Sequence, residues 1–179
     1  MDADTAVFAI VAFPSLEASE RQWIESIRAK HDPQAGRIGV HFSLVFPTVL
    51  SRRVIEVQAA RVAAATEPVR VVLRRAGVAP DPVGGGGHVF LMPEEGRDQI
   101  AQLHDRLYEG ALQPHLRKDV PFRPHLTIAA RPTIDPLHAL AAEINTTTRS
   151  IRGFLAEIVL VEVTPEAIQP VAHFQLGAS

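Results

Sequence analysis

Cysteine is absent from this chain of 179 residues. That removes disulfides, thiolate-held zinc and thiol nucleophiles together. An excess of charge is missing too: 18 Lys and Arg against 20 Asp and Glu leave a net charge of −2. Coating long nucleic acid takes many cationic contacts with phosphates, so this balance argues against that class and leaves a nucleotide or an RNA end as the possible partner. Long apolar runs are lacking as well. The stretch Ala6 to Phe13 is too short to cross a bilayer, and it follows Asp2 and Asp4 rather than the basic residues of a signal peptide. The reading is a cytoplasmic protein with no membrane partner. His-Glu-x-x-His does not occur, and His31, His88, His115, His138 and His173 have no partner at ligand spacing. His104-Asp105 would need further His and Asp ligands on neighbouring helices to hold a metal. No metal and no cofactor are expected.

What remains is an ordinary globular composition, 46% hydrophobic and 21% charged, in one unit spanning 1–179. AVFAIVAF over residues 6–13 reads as a buried strand ended by Pro14. Ser15 is a candidate cap for a helix with Trp23, Ile24 and Ile27 on one face. Val40 to Phe46 is the next strand, Ser51 caps a second helix, and Val69 to Leu73 returns as a strand. The run Gly84 to Gly87 lacks the Gly-Lys-Ser/Thr ending of a phosphate-binding loop and reads as a hinge or lid. Beyond it the order repeats. His88 to Met92 is strand-like, and Ile100, Leu103 and Leu107 share a helix face. Pro124 to Ala130 is a strand, Asp135-Pro136 opens a helix, and Ala156 to Val163 is a strand, with a last one over Val171 to Leu176. Strand, helix, strand, helix, strand thus occurs twice, which reads as a duplication into two α+β lobes, roughly 1–82 and 83–179, facing each other across a cleft.

One motif occupies the same slot in each pass: His41-Phe42-Ser43-Leu44 and His125-Leu126-Thr127-Ile128. In a strand, alternate side chains share a face, so each copy aims an imidazole and a hydroxyl one way and two apolar groups the other. Imidazole titrates near neutrality, and two in one cleft can divide the work of a base and an acid. Opening a phosphodiester with water needs that pair, together with donors that hold the nonbridging oxygens, a role open to the Ser43 and Thr127 hydroxyls. One copy arises easily in any amphipathic strand; two copies in equivalent slots point to a paired site. An unbroken pleat places Arg131 on the face of His125 and Thr127, within reach of a phosphate. The same parity sends Phe46 into the core with Phe42 and Leu44, and leaves Phe122 open between core and site.

On these two motifs the chain resembles the two-histidine phosphoesterase superfamily, which includes bacterial 2′-5′ RNA ligase-like and RNA 2′,3′-cyclic phosphodiesterase proteins. Phe13-Pro14-Ser15, Leu107-Tyr108-Glu109-Gly110 and Phe122-Arg123-Pro124 extend the likeness over most of the chain. Ser43 stands where that family more often has Thr. The resemblance implies a bilobal fold of two antiparallel β-sheets flanked by helices around a central cleft, with pseudo-two-fold symmetry and no metal. It also implies His41 and His125 as catalytic residues, with Ser43 and Thr127 gripping phosphate. The expected activity is hydrolysis, by a monomer, of a cyclic phosphodiester or a 2′-5′ linkage. The rival is a binding module that captures a nucleotide or RNA end in the same cleft without turnover.

Overall fold

The computed structural model describes residues 5–82 and 84–177. Nine strands, β1 (Thr5–Ala12), β2 (Ser15–Leu16), β3 (Phe42–Ser51), β4 (Val69–Pro80), β5 (Gly87–Glu95), β6 (Leu126–Arg131), β7 (Ile151–Leu155), β8 (Glu157–Val163) and β9 (Ile168–Gln175), form one antiparallel sheet. Its order is β2-β7-β4-β5-β6-β3-β1-β8-β9. Four helices join them: α1 (Ala18–His31), α2 (Arg52–Ala64), α3 (Arg97–Leu107) and α4 (Asp135–Thr146). The α+β class holds, but the expected two sheets are a single curled one.

The reason lies in how the two passes exchange strands. The first pass supplies β1 and β3 to one side of the sheet, yet its third strand, β4, pairs with β5 on the other. The second pass supplies β5 and β6, and its strand β8 returns to pair with β1. Both halves of the sheet therefore draw on both sides of residue 82. Helices cross in the same way, α1 packing on β6 and α3 on β3.

Apolar residues from every helix, among them Ile24, Ile55, Ile100 and Leu137, collect with the sheet's inward side chains in one core. The β4–β5 hairpin carries the glycine run. Gly86 has φ +78°, and a Cβ there would collide with the Arg131 carbonyl. Close backbone approach, not a lid, is what this glycine serves. Strands β2 and β7 are short elements beyond those expected from the sequence.

Candidate active site

The two halves of the sheet meet at one residue pair, Phe42 of β3 opposite Leu126 of β6. Both side chains are fully buried in the core, so their neighbours face the other way. Continuing the antiparallel register one step in each direction sets His41 opposite Thr127 and Ser43 opposite His125. Cross-strand neighbours of this kind have Cβ atoms about 4.5–5.5 Å apart. His41 lines one hollow together with Thr127, and His125 lines another together with Ser43 and Thr127.

Each motif also carries a bulge. The register shifts between Ile10 and Val11, which face Val45 and Ser43, and again between Val89 and Phe90, which face Ala129 and Thr127. The extra residues are Leu44 and Ile128, the fourth member of each motif. At each bulge two consecutive residues turn inward, Leu44 with Val45 and Ile128 with Ala129, and all four lie in the core.

These bulges reverse the parity beyond them and overturn two expectations. Phe46 is not a core residue: it is half-buried and walls a cavity beside the motif. Arg131 does not share the face of His125 and Thr127; Ala130 takes that side instead. The Arg131 guanidinium donates to the Lys30 carbonyl at the end of α1 (2.8 Å) and lies 3.0 Å from His31 Nδ1.

His41 and His125 are held alike. Nδ1 of His41 donates to the Gly39 carbonyl (2.8 Å), and Nδ1 of His125 donates to the Arg123 carbonyl (2.5 Å). A carbonyl only accepts, so the proton of each neutral ring sits on Nδ1 and the lone pair on Nε2. Burial lowers the pKa of His41, opposed by its bond to Gly39; Arg28 lowers it further, and Asp32 and Glu25 raise it. Burial lowers that of His125 too, opposed by the Arg123 carbonyl, while His88 and His41 disfavour another positive charge.

Behind His41 lies a buried ionic cluster. Arg28, 1% exposed, donates through Nε to Asp32 (2.8 Å), through Nη1 to both oxygens of Glu25 (2.9 and 3.1 Å) and through Nη2 to the Ile38 carbonyl (2.8 Å). Glu25 in turn accepts from the Val40 amide (2.9 Å). The residues on both sides of Gly39 are thereby tied to α1.

Two residues outside the motifs complete the site, His88 and Phe90, alternate positions of β5. Phe90 stacks on His125 with ring centroids 3.7 Å apart, and His88 stacks on Phe90 at 5.6 Å. The signal for them was the alternation of His88 and Phe90 with the apolar Val89 and Leu91, which marks an open face and a core face. On the other side Phe13 meets His41 edge-on at 6.0 Å. Phe122 is half-buried, stacks on His104 at 3.7 Å and walls the cavity beside His125. Among the described residues no group of three His, Cys, Asp or Glu is placed to hold a metal ion, and no helix is long and apolar enough to cross a membrane.

The model of the 2′-5′ RNA ligase superfamily matches residues 14–164. The chain belongs to that superfamily. The fold agrees with solved members. E. coli LigT superposes with a TM-score of 0.65 at 18% identity, covering 97% of this chain and 99% of LigT. TT0787 of Thermus thermophilus gives 0.62 at 19% identity, over 96% and 98% of the two chains. Usb1 of Kluyveromyces marxianus gives 0.54 at 10% identity, over 95% and 98%. LigT has been crystallised in complex with 3′-AMP, phosphate and ATP. No curated protein matches significantly in sequence.

Proposed function

We propose that this member of the superfamily is a metal-independent phosphoesterase that hydrolyses a cyclic phosphodiester, at an RNA end or on a nucleotide, or a 2′-5′ linkage. The observation that carries the reading is that the two His-hydroxyl motifs flank the cross-strand pair Phe42 and Leu126, which joins β3 to β6. In this reading one imidazole takes the proton of an attacking water and the other protonates the departing sugar oxygen. Ser43 and Thr127 donate to the nonbridging oxygens as charge grows on phosphorus. Lone pairs left on Nε2 of both rings suit one to accept a proton and the other, once protonated, to give one. The nucleotide complexes of LigT favour a ligand of the same class here.

The test is a panel of 2′,3′-cyclic nucleotides and 2′-5′ dinucleotides assayed with chelator present. Turnover is expected on at least one substrate, and His41→Ala or His125→Ala should lower kcat/KM by roughly a hundred- to ten-thousand-fold. Loss of activity in chelator would reject the metal-independent mechanism. Tight binding without turnover would favour the alternative, a nucleotide or RNA-end binding module with the same cleft.

A further inference from the structure

A cavity of about 450 Å³ opens at the end of α4, lined by Arg74, Arg75, Glu94, Asn145, Thr148 and Arg149. None of the six lines either hollow beside the motif histidines. A bulge brings two of its arginines together. Leu73 faces Pro93 and Arg75 faces Met92, so Arg74 is the extra residue in β4. Leu73 and Ala76 both lie in the core, and Arg74 and Arg75 between them are exposed. The third arginine arrives around the edge of the sheet. Pairing of β7 with β4 stops at Ile151 and Leu73. Beyond it the Asn145 amide takes the place of a strand, accepting from the Ala76 nitrogen (2.9 Å) and donating to the Ala76 carbonyl (3.0 Å). That clamp fixes the end of α4, and the chain turns from it through Thr148 into Arg149.

Donors in this cavity are left over. Arg74 is paired with Glu94 (2.5 Å), but among the described residues the Arg75 side chain has no hydrogen bond or ion pair. Arg149 donates only to Glu20, through Nη1 at 3.3 and 3.4 Å, and sits over the Trp23 ring, 4.6 Å from its centroid. Its Nε is buried with no hydrogen-bond partner, the one such side-chain atom among the described residues. Thr148 beside it has φ +48°, the one positive value outside glycine among those residues. A β-branched residue enters that region only under strain, and strain of this kind gathers at ligand sites. Three guanidiniums set against Glu94 and Glu20 leave one positive charge uncompensated. The planar, permanently charged fork of an arginine matches the oxygens of a phosphate.

We propose that this cavity is an oxyanion site, separate from the paired motifs, in which Arg75 and Arg149 hold a phosphate group of a nucleotide or polynucleotide. Binding there needs no turnover, so the site goes beyond the phosphoesterase reading and does not depend on it. Met92, which faces Arg75, is the next alternate position of β5 after His88 and Phe90, and two residues of strand span about 7 Å. The cavity is therefore a short step along the same strands from the ring that stacks on His125. A polynucleotide whose end reacts at the motifs would pass this way, whereas a free phosphate or nucleotide would bind here by itself. The chemistry at the arginines is the same in both cases.

Trp23 is the single tryptophan of the chain, so its fluorescence reports on Arg149 directly. Inorganic phosphate, titrated at constant ionic strength, should change that emission saturably. Arg75→Gln, whose side chain has no partner to lose, should fold normally and weaken phosphate about tenfold, the loss expected of a charge-assisted hydrogen bond. His125→Ala should leave the titration unchanged. A signal that is absent, that follows ionic strength alone, or that is equally strong in Arg75→Gln overturns the site. Kinetics on a 2′,3′-cyclic mononucleotide and on an oligonucleotide with the same cyclic end then identify the source of the phosphate. If Arg75→Gln raises KM about tenfold on the oligonucleotide alone, with kcat unchanged, the group belongs to the substrate's own chain. Kinetics unchanged on both substrates identify a free phosphate or nucleotide. A fall in kcat on the mononucleotide would put Arg75 in the catalytic site and overturn the proposal. A parent protein inactive on both substrates sinks the phosphoesterase reading, while the fluorescence titration still decides this one.

Discussion

The phenyl ring of Phe90 lies against the imidazole of His125, centroids 3.7 Å apart and planes inclined by 24°. Phe90 is thus part of what keeps water from that ring, and burial is the largest cause of its lowered pKa. Phe90→Ala should let the His125 pKa rise toward its ordinary value, seen by NMR titration of the ring. Because Phe90 is only half-buried, the expected stability loss is about 2 kcal/mol, below the range for a fully buried ring. An unchanged titration would mean that the stack does not shield His125.

Arg28 joins α1 to the backbone around Gly39. Removing one partner of a buried ionic cluster strands the others, at a cost of roughly 3–5 kcal/mol. Arg28→Ala should therefore lower Tm strongly. Arg28→Lys, which keeps the charge but cannot reach Asp32, Glu25 and the Ile38 carbonyl at once, should fold and lose activity through misplacement of His41. A fully active Arg28→Lys protein would show that the cluster does not position His41.

The fourth position of each motif must be apolar, because the bulge turns Leu44 and Ile128 into the core beside Val45 and Ala129. Both are completely buried. Leu44→Ala and Ile128→Ala should each cost about 2–5 kcal/mol in denaturant melts. Serine at either position should cost more, since its hydroxyl would also lose its water. If serine is tolerated as well as alanine, these side chains do not lie where the bulges put them.

His41, His104 and His125 all have pKa values held below the ordinary histidine value by burial. Each binds a proton more readily in the unfolded chain. Their contribution to stability is complete above about pH 6.5 and is lost as the pH falls through the folded-state values. The acid limb of kcat/KM reports the base and the alkaline limb the acid of the free enzyme. With both rings lowered, the maximum of kcat/KM should fall on the acid side of about pH 6.5. A maximum at alkaline pH would contradict these shifts.

Both motifs were legible because alternation along a strand is a local property. His41 and Ser43, or His125 and Thr127, share a face as soon as the segment is extended. The helix faces through Trp23, Ile24 and Ile27 and through Ile100, Leu103 and Leu107 were legible for the same reason, their apolar spacing matching the helical period. Arg131 and Phe46 were misplaced by the same logic. Parity holds only while each residue faces one partner, and at Leu44 and Ile128 two residues face one.

The α+β composition, the paired motifs and the chemistry their side chains permit are written in the residues alone, since these depend on residue type and on neighbours two to four positions away. Long-range packing alone makes the sheet single, moves β4 and β8 across it, and sets His88 and Phe90 with His125. Strand pairing and bulge position are set by partners dozens of residues distant, through packing energies that no local pattern encodes.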